Sequence, residues 1–373
     1  MLVLSGARIF DGEDFLDDHA ITVQGARVRA ITPYSERPRG GMQRDLGGGL
    51  LAPGFIDVQV NGGGGALLND NPSLKVVRRI AESHRAFGTT GLLPTVVTDA
   101  AEVQAAAIQA VRDARVTVPG VLGIHLEGPH LDVLRKGAHA VQFIREMTPA
   151  DVARIAAADC GAVMVTLAPN RVSPELIRDL AARGVLVSLG HSDASYEEAG
   201  AALDAGACAF THLFNAMSQM NGRAPGMVGA ALGDPRGFVG VIVDGQHVHD
   251  ASLRIAFAAK SRDRFMLISD AMSPAAGGPD HFELMDRRVT RVGGRLQLED
   301  GTLAGSLLTM DGAVRNSVAL GIDLADALRM ASRVPATFIR RGHDLGRIAP
   351  GYLASLVHLG DALEVRETWI DGQ

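Results

Sequence analysis

Val121-Leu122-Gly123-Ile124-His125-Leu126-Glu127-Gly128-Pro129 is a short, mostly apolar run that ends on a carboxylate and breaks at Gly-Pro. A run of this length, bounded by a turn signal, predicts a buried strand. Glu127 then stands at its C-terminal end. The layout recurs in Ser188-Leu189-Gly190-His191-Ser192, in Thr211-His212-Leu213 and in Ile268-Ser269-Asp270. Each places a metal- or proton-binding side chain after an apolar run and before a Gly-, Ser- or Asn-containing loop. One carboxylate and two imidazoles suit a divalent transition metal such as zinc. A further carboxylate nearby is what an attacking water needs as proton acceptor. The pattern predicts a metal-dependent hydrolase.

Working outward, apolar runs alternate with helical patterns. Strands are predicted at residues 55–60, 91–96, 121–126, 162–167, 186–189, 208–211, 239–243 and 265–269. Helical periodicity marks 73–87, 101–114, 149–158, 174–183, 196–205 and 251–260. Thr148, Ser173 and Ser195 are candidate N-caps, with Pro149 and Pro174 at the first helical position. Eight such βα units predict a closed parallel barrel of the TIM type, an α/β fold, rather than an open sheet. Glu127, His191, His212 and Asp270 would then end strands three, five, six and eight and meet on the C-terminal face. No local motif such as His-x-x-x-His does this; only the barrel brings them together.

Residues 1–52 alternate apolar positions between glycine turns and hold too few strands to cover a sheet by themselves. The C-terminal stretch 346–373 supplies two more. The ends are therefore expected to build one small β-sandwich domain outside a hydrolase barrel at 53–345. Residues 272–306 interrupt the pattern, and Gly293-Gly294 between alternating runs signals a hairpin. We read this insertion as a long active-site loop with a small ribbon, and Gly62–Gly65 as a mobile loop after strand one.

The chain of 373 residues is 47% hydrophobic and 21% charged, as expected for a globular protein with a large core. Its net charge of −6, with no block of Lys or Arg, argues against nucleic acid and against an electrostatic membrane anchor. The apolar runs are too short to span a bilayer. The N-terminus reads as a strand rather than a leader. The only cysteines, Cys160 and Cys208, do not make a disulfide scaffold, and Cys208 fits a core position. A cytoplasmic location follows as the expectation.

The motifs together resemble the amidohydrolase superfamily and, within it, the N-acetylglucosamine-6-phosphate deacetylases. The resemblance runs through Pro53-Gly54-Phe55-Ile56-Asp57, His125-Leu126-Glu127-Gly128-Pro129, Lys136-Gly137-Ala138-His139 and Gly190-His191-Ser192. It continues in Thr211-His212-Leu213-Phe214-Asn215-Ala216, Gly222-Arg223-Ala224-Pro225-Gly226, Asp244-Gly245-Gln246-His247, Ser269-Asp270-Ala271 and Leu303-Ala304-Gly305. It implies hydrolysis of an N-acetylhexosamine 6-phosphate, with one divalent ion on Glu127, His191 and His212. These ligands accept zinc, iron, manganese or cobalt, with zinc the first expectation. Many superfamily members carry His-x-His on strand one; this chain has Gln59 and Asn61, poor ligands that are expected near the site without binding metal.

By the same resemblance, Asp270 takes the proton of the attacking water and returns it to the leaving amine. His139 polarises the acetamide carbonyl. Arg223 and His247 hold the phosphate, with Arg223 reaching across a homodimer interface. Ala138, Asn215, Ala216, Leu303, Ala304 and Gly305 line the sugar. The chain departs from the family at His130 and at Ala140-Val141, where an aromatic residue and Asn-Pro are usual. These departures leave open the glucosamine or galactosamine epimer. Rival readings are deacetylation of an N-acyl amino acid, hydrolysis of a cyclic amide, and a non-catalytic barrel scaffold.

Overall fold

The computed structural model describes all of residues 1–373. Eight parallel strands form one sheet in sequence order: Phe55–Val60, Thr89–Val97, Gly123–Glu127, Ala162–Leu167, Leu186–Leu189, Ala209–Phe210, Phe238–Val241 and Phe265–Leu267. The ends of this sheet meet. Val60 pairs in parallel with Ala271, the Asp270 amide donates to the Gln59 carbonyl at 3.0 Å, and the Asn61 amide donates to the Ala271 carbonyl at 2.9 Å. The expected barrel is the observed one. Its strands read as continuous apolar runs because helices cover their outer faces while side chains fill the inside.

The helices start where the sequence offers caps. Thr148 and Ser195 each form a reciprocal capping box, before Pro149–Ala156 and Tyr196–Asp204. Ser173 also precedes its helix, Pro174–Ala182, but its side chain makes no cap bond there. Two helices went unread in the sequence, the short Arg333–Phe338 and, between strands six and seven, Gly226–Gly233. Nearly all of Gly226–Gly233 is buried, so its apolar residues run all the way round and leave no amphipathic signal. A single cluster of 84 buried apolar residues links strands and helices, so the barrel has one continuous core.

The chain ends form two further sheets. One orders Arg27–Pro33, His19–Gln24, Leu2–Ser5 and Met42–Asp45; the other orders Val365–Trp369, Leu356–Leu359, Leu50–Pro53, Arg8–Phe10 and Phe15–Leu16. Leu4, Ile9, Ile21, Leu51, Leu356 and Trp369 fill the space between them. Neither terminus could close that core alone, which is why the last strands return to pair with Leu50–Pro53.

The insertion after strand eight carries a three-stranded ribbon, His281–Leu284, Arg287–Val292 and Arg295–Gln297. Gly62–Gly65 departs from the expected mobile loop. Gly62-Gly63 pairs with Ala66-Leu67 in a buried hairpin. A Cβ at Gly62 would run into the Ala66 carbonyl oxygen, and one at Gly63 would lie 2.5 Å from His84 Nε2. These glycines serve close packing rather than motion. No helix is long and apolar enough to cross a membrane.

Candidate active site

Glu127 ends the third barrel strand and is followed by Gly128 at φ 88°. His191, His212 and Asp270 follow strands five, six and eight, and all three adopt left-handed backbone, at φ 48°, 30° and 51°. Such conformations are costly for residues with a Cβ. Here they break each strand at its end, where the side chains converge. Glu127, His191, His212 and Asp270 are all buried, at the C-terminal mouth of the barrel.

The carboxylate is ringed by imidazoles. Glu127 Oε1 lies 3.4 Å from His191 Nε2 and 3.2 Å from His212 Nε2, and those two nitrogens are 3.0 Å apart. His139 joins the cluster, with Nε2 at 3.9 Å from Glu127 Oε2; Glu127, His139 and His191 offer possible ligand atoms within 4.8 Å of one another. Tautomers separate the roles. The Thr98 amide donates to His139 Nδ1 at 3.3 Å, so a neutral His139 carries its hydrogen on Nε2 and presents a donor to the site. His191 is reversed: its Nδ1 donates to the Arg135 carbonyl at 2.9 Å, which leaves the Nε2 lone pair facing Glu127. Ligands about 2.1 Å from a tetrahedral ion stand roughly 3.4 Å apart. Glu127 Oε1, His191 Nε2 and His212 Nε2 are therefore spaced to hold one divalent ion.

The first-strand amides face the carboxylates. Gln59 Nε2 donates to Glu127 Oε1 at 3.0 Å and to Asp270 Oδ1 at 3.2 Å, and Asn61 Nδ2 donates to the same Asp270 oxygen at 2.7 Å. An amide nitrogen between two carboxylates has no lone pair to offer a cation. The arrangement thus supplies hydrogen bonds where a His-x-His pair would supply ligands. Burial, then the charge of Glu127, pushes the Asp270 carboxyl up to about 6. Burial would raise Glu127 as well, but the imidazoles of His191 and His212 that face it hold it well below the usual carboxylate range. Burial lowers His139 well below the usual imidazole value and keeps it neutral.

These groups open into a cavity of about 400 Å³. Its wall includes Ala138, His139, Asn215, Ala216, His247, Leu303, Ala304 and Gly305, all expected from the sequence. His247 is fixed by Asp244, whose Oδ2 accepts from its Nδ1 at 2.7 Å. Arg223 is not brought in; it is exposed in the Asn221–Ala224 turn and lines no part of this cavity. His130, Ala140 and Val141 do not line it either. His130 is buried behind the wall against the Arg145 carbonyl, so the departures at these positions do not touch the cavity directly. His249 caps the helix Asp250–Ala259 by accepting from the Ala251 amide.

Sequence reasoning missed Arg135, Met272 and Leu284 in the wall, and Arg287, whose guanidinium donates to the Ala138 carbonyl and ties the ribbon to the His139 loop. The only signal for Leu284 and Arg287 was the Gly293-Gly294 turn, which places a ribbon but not its contacts.

Comparison with known proteins agrees with this geometry. The amidohydrolase family model matches residues 50–373, and the NagA composite domain model matches residues 1–51. An N-acetylgalactosamine-6-phosphate deacetylase of Shewanella sp. (strain ANA-3) is 42% identical over 100% of this chain and 95% of its own length. The structure of N-acetylglucosamine-6-phosphate deacetylase from Pasteurella multocida superposes with a TM-score of 0.96, at 35% identity over 100% of this chain and 98% of that one. A point mutant of the Mycobacterium smegmatis enzyme, in complex with N-acetyl-D-glucosamine-6-phosphate, superposes at 0.93 with 33% identity over 100% and 98%. The chain belongs to the amidohydrolase family, in the branch of the N-acetylhexosamine-6-phosphate deacetylases.

Proposed function

We propose that the chain hydrolyses the acetamide of N-acetyl-D-glucosamine 6-phosphate to D-glucosamine 6-phosphate and acetate. The observation that carries this reading is the Asp270 carboxyl facing the Glu127–His191–His212 cluster across one cavity, with His139 beside it as a hydrogen-bond donor. Glu127, His191 and His212 would hold a divalent ion, zinc by preference for this N/O donor set, which when bound would supply Lewis acidity and make the attacking water more acidic.

The chain's own groups then divide the work. Asp270, ionised at neutral pH with its carboxyl at about 6, takes a proton from the water as its oxygen adds to the acetyl carbon. His139 Nε2–H donates to the carbonyl oxygen as charge collects there. As the C–N bond breaks, Asp270 delivers that proton to the amine nitrogen, and the acetic acid left behind loses the water's second proton to the amine or to solvent and departs as acetate. Gln59 and Asn61 hold Asp270 in place through its Oδ1.

His247, set by Asp244, takes the phosphate end from within the subunit. Arg135 also lines the cavity, but its guanidinium pairs with Asp193 at 2.7 Å. The exposed position of Arg223 supports its contribution from a neighbouring copy, and hence a homodimer. The unpaired thiols Cys160 and Cys208 suit a cytoplasmic setting. We divide the chain at 1–52, 53–345 and 346–373, with both ends bracing the barrel.

A second reading, N-acetylgalactosamine 6-phosphate as substrate, is favoured by the name and 42% identity of the Shewanella relative. Acetate release from both acetylated hexosamine 6-phosphates and their unphosphorylated counterparts, with elemental analysis of the protein, tests both. Phosphorylated substrates are expected to dominate kcat/KM; equal turnover without the phosphate overturns the assignment.

A further inference from the structure

A second cavity, of about 730 Å³, lies at the opposite end of the barrel. Phe238 and Phe265 begin strands seven and eight, and the cavity is walled by Phe238, Arg264 and the end of the preceding helix. It is therefore on the N-terminal face, a barrel length from Asp270. Lys260, Arg264, Arg333 and Arg347 line it, and Asp263 is the one carboxylate in the wall. The whole chain is acidic, so this excess of cations is local.

Internal pairing accounts for only part of that charge. Arg333 pairs with Glu13 and, at 2.9 Å, with Asp263. Arg347 shares Glu13 at 3.6 Å, and its Nε is buried without a partner. Arg264 has no carboxylate in ion-pair reach and lies over the Phe238 ring at 4.7 Å. Lys260 is 7% exposed, and its ammonium donates to the Asp234 carbonyl. That carbonyl follows the helix Gly226–Gly233, so the lysine also offsets the helix dipole. The dipole explains one of its three donors and says nothing of Arg264 or Arg347. Burial pushes the Lys260 ammonium down to about 8, with the nearby Asp234 carboxylate opposing that shift and Arg264 adding to it. One buried and three half-buried cations around a single cavity with few acidic partners favour an anion between them.

We propose that this basic cavity is a second anion site, which takes a phosphate-bearing small molecule independently of the catalytic pocket. Guanidinium forks and a compact ammonium match phosphate oxygens in charge and geometry. The volume falls in the range of small-molecule sites, about 300–1,000 Å³. Phe238, Val334 and Tyr352 give an apolar wall for the carbon part of such a ligand.

The test is calorimetric titration of the metal-loaded protein at constant ionic strength, with inorganic phosphate and separately with glucose 6-phosphate. His247→Ala removes the phosphate contact proposed for the catalytic pocket, and binding at the second cavity is expected to survive it. Lys260→Met with Arg264→Gln should weaken that remaining binding by about tenfold or more, the loss of charge-assisted contacts, while kcat at low phosphate stays near wild type. Arg264→Gln alone, at a half-buried position, keeps the test valid if the double variant does not fold; it should also weaken binding. Tighter binding of the ester supports a sugar phosphate as ligand, and tighter binding of inorganic phosphate supports the free anion. Absence of saturable binding, loss of all binding in His247→Ala, or binding unchanged by the Lys260 and Arg264 substitutions overturns the proposal.

Discussion

Asp57 and Asp270 are both buried carboxyls of the barrel, and in both burial pushes the pKa up, to about 7 and about 6. Their surroundings differ. Asp57 lies inside the sheet, where its Oδ1 accepts from the Gln59 and Ser269 amides at 3.2 Å each and helps join the first strand to the last. Its Oδ2 has no partner. Asp270 lies at the mouth, on left-handed backbone, facing the charge of Glu127 and an open cavity. The same residue type is enclosed by amides in one place and, in the mechanism proposed above, acts as base and acid where a cavity and a second carboxylate face it. Buried polarity alone does not mark a catalytic group; what it faces does.

The largest test of that contrast is at the mouth. Chelation that strips the divalent ion should abolish acetate release, with recovery on adding metal back; full activity in metal-free protein would remove the cluster from the mechanism. Asp270→Asn should keep the metal but cut kcat by about 10²-fold or more, because proton acceptance is lost. A near-normal rate with normal metal content would make Asp270 as structural as Asp57. Arg223→Ala should raise KM for the phosphorylated substrate strongly and leave kcat less affected. An unchanged KM would move phosphate binding wholly onto residues of one subunit, such as His247.

Asp57→Asn sharpens the other side. The folded state holds the Asp57 proton up to about pH 7, whereas the unfolded chain releases it near the ordinary value of 3.8. The carboxyl's contribution is therefore present at low pH and lost as pH rises through that window. Asparagine keeps an oxygen for the two amides and cannot ionise. Between pH 5 and 8 the variant's unfolding free energy should gain on wild type, by about 1.4 kcal/mol per unit of pKa difference removed. Parallel pH profiles by urea denaturation would show that Asp57 is not protonated in the fold. The smallest effect is at the helix starts. Thr148→Ala should cost about 1 kcal/mol, the usual value of a side-chain cap, and Ser173→Ala about half that or less. Equal losses would contradict the difference in their cap bonds.

Periodicity exposed the barrel because each βα unit declares itself locally: the strand by a short apolar run, the helix by its spacing and cap. It failed at Gly226–Gly233, where burial on all sides erases the stripe, and at Gly62–Gly65, where glycines that look like a loose loop are needed for close packing. The convergence of Glu127, His191, His212 and Asp270 at the strand ends was legible through the barrel and the family motifs. The Thr98 amide that sets the His139 tautomer and the Arg287 contact with Ala138 were not, because both join segments far apart in the chain.

The order of elements and the kinds of side chain at their ends were determined by the sequence alone, since hydrophobic spacing, caps and turn residues act over a few positions. Which imidazole offers a lone pair and which a hydrogen was decided only in the folded chain, as was the raised proton affinity of Asp270. The physical reason is range. Hydrogen bonds and buried charges take their energy from whatever the closed barrel sets within a few ångströms, however distant those groups are along the chain.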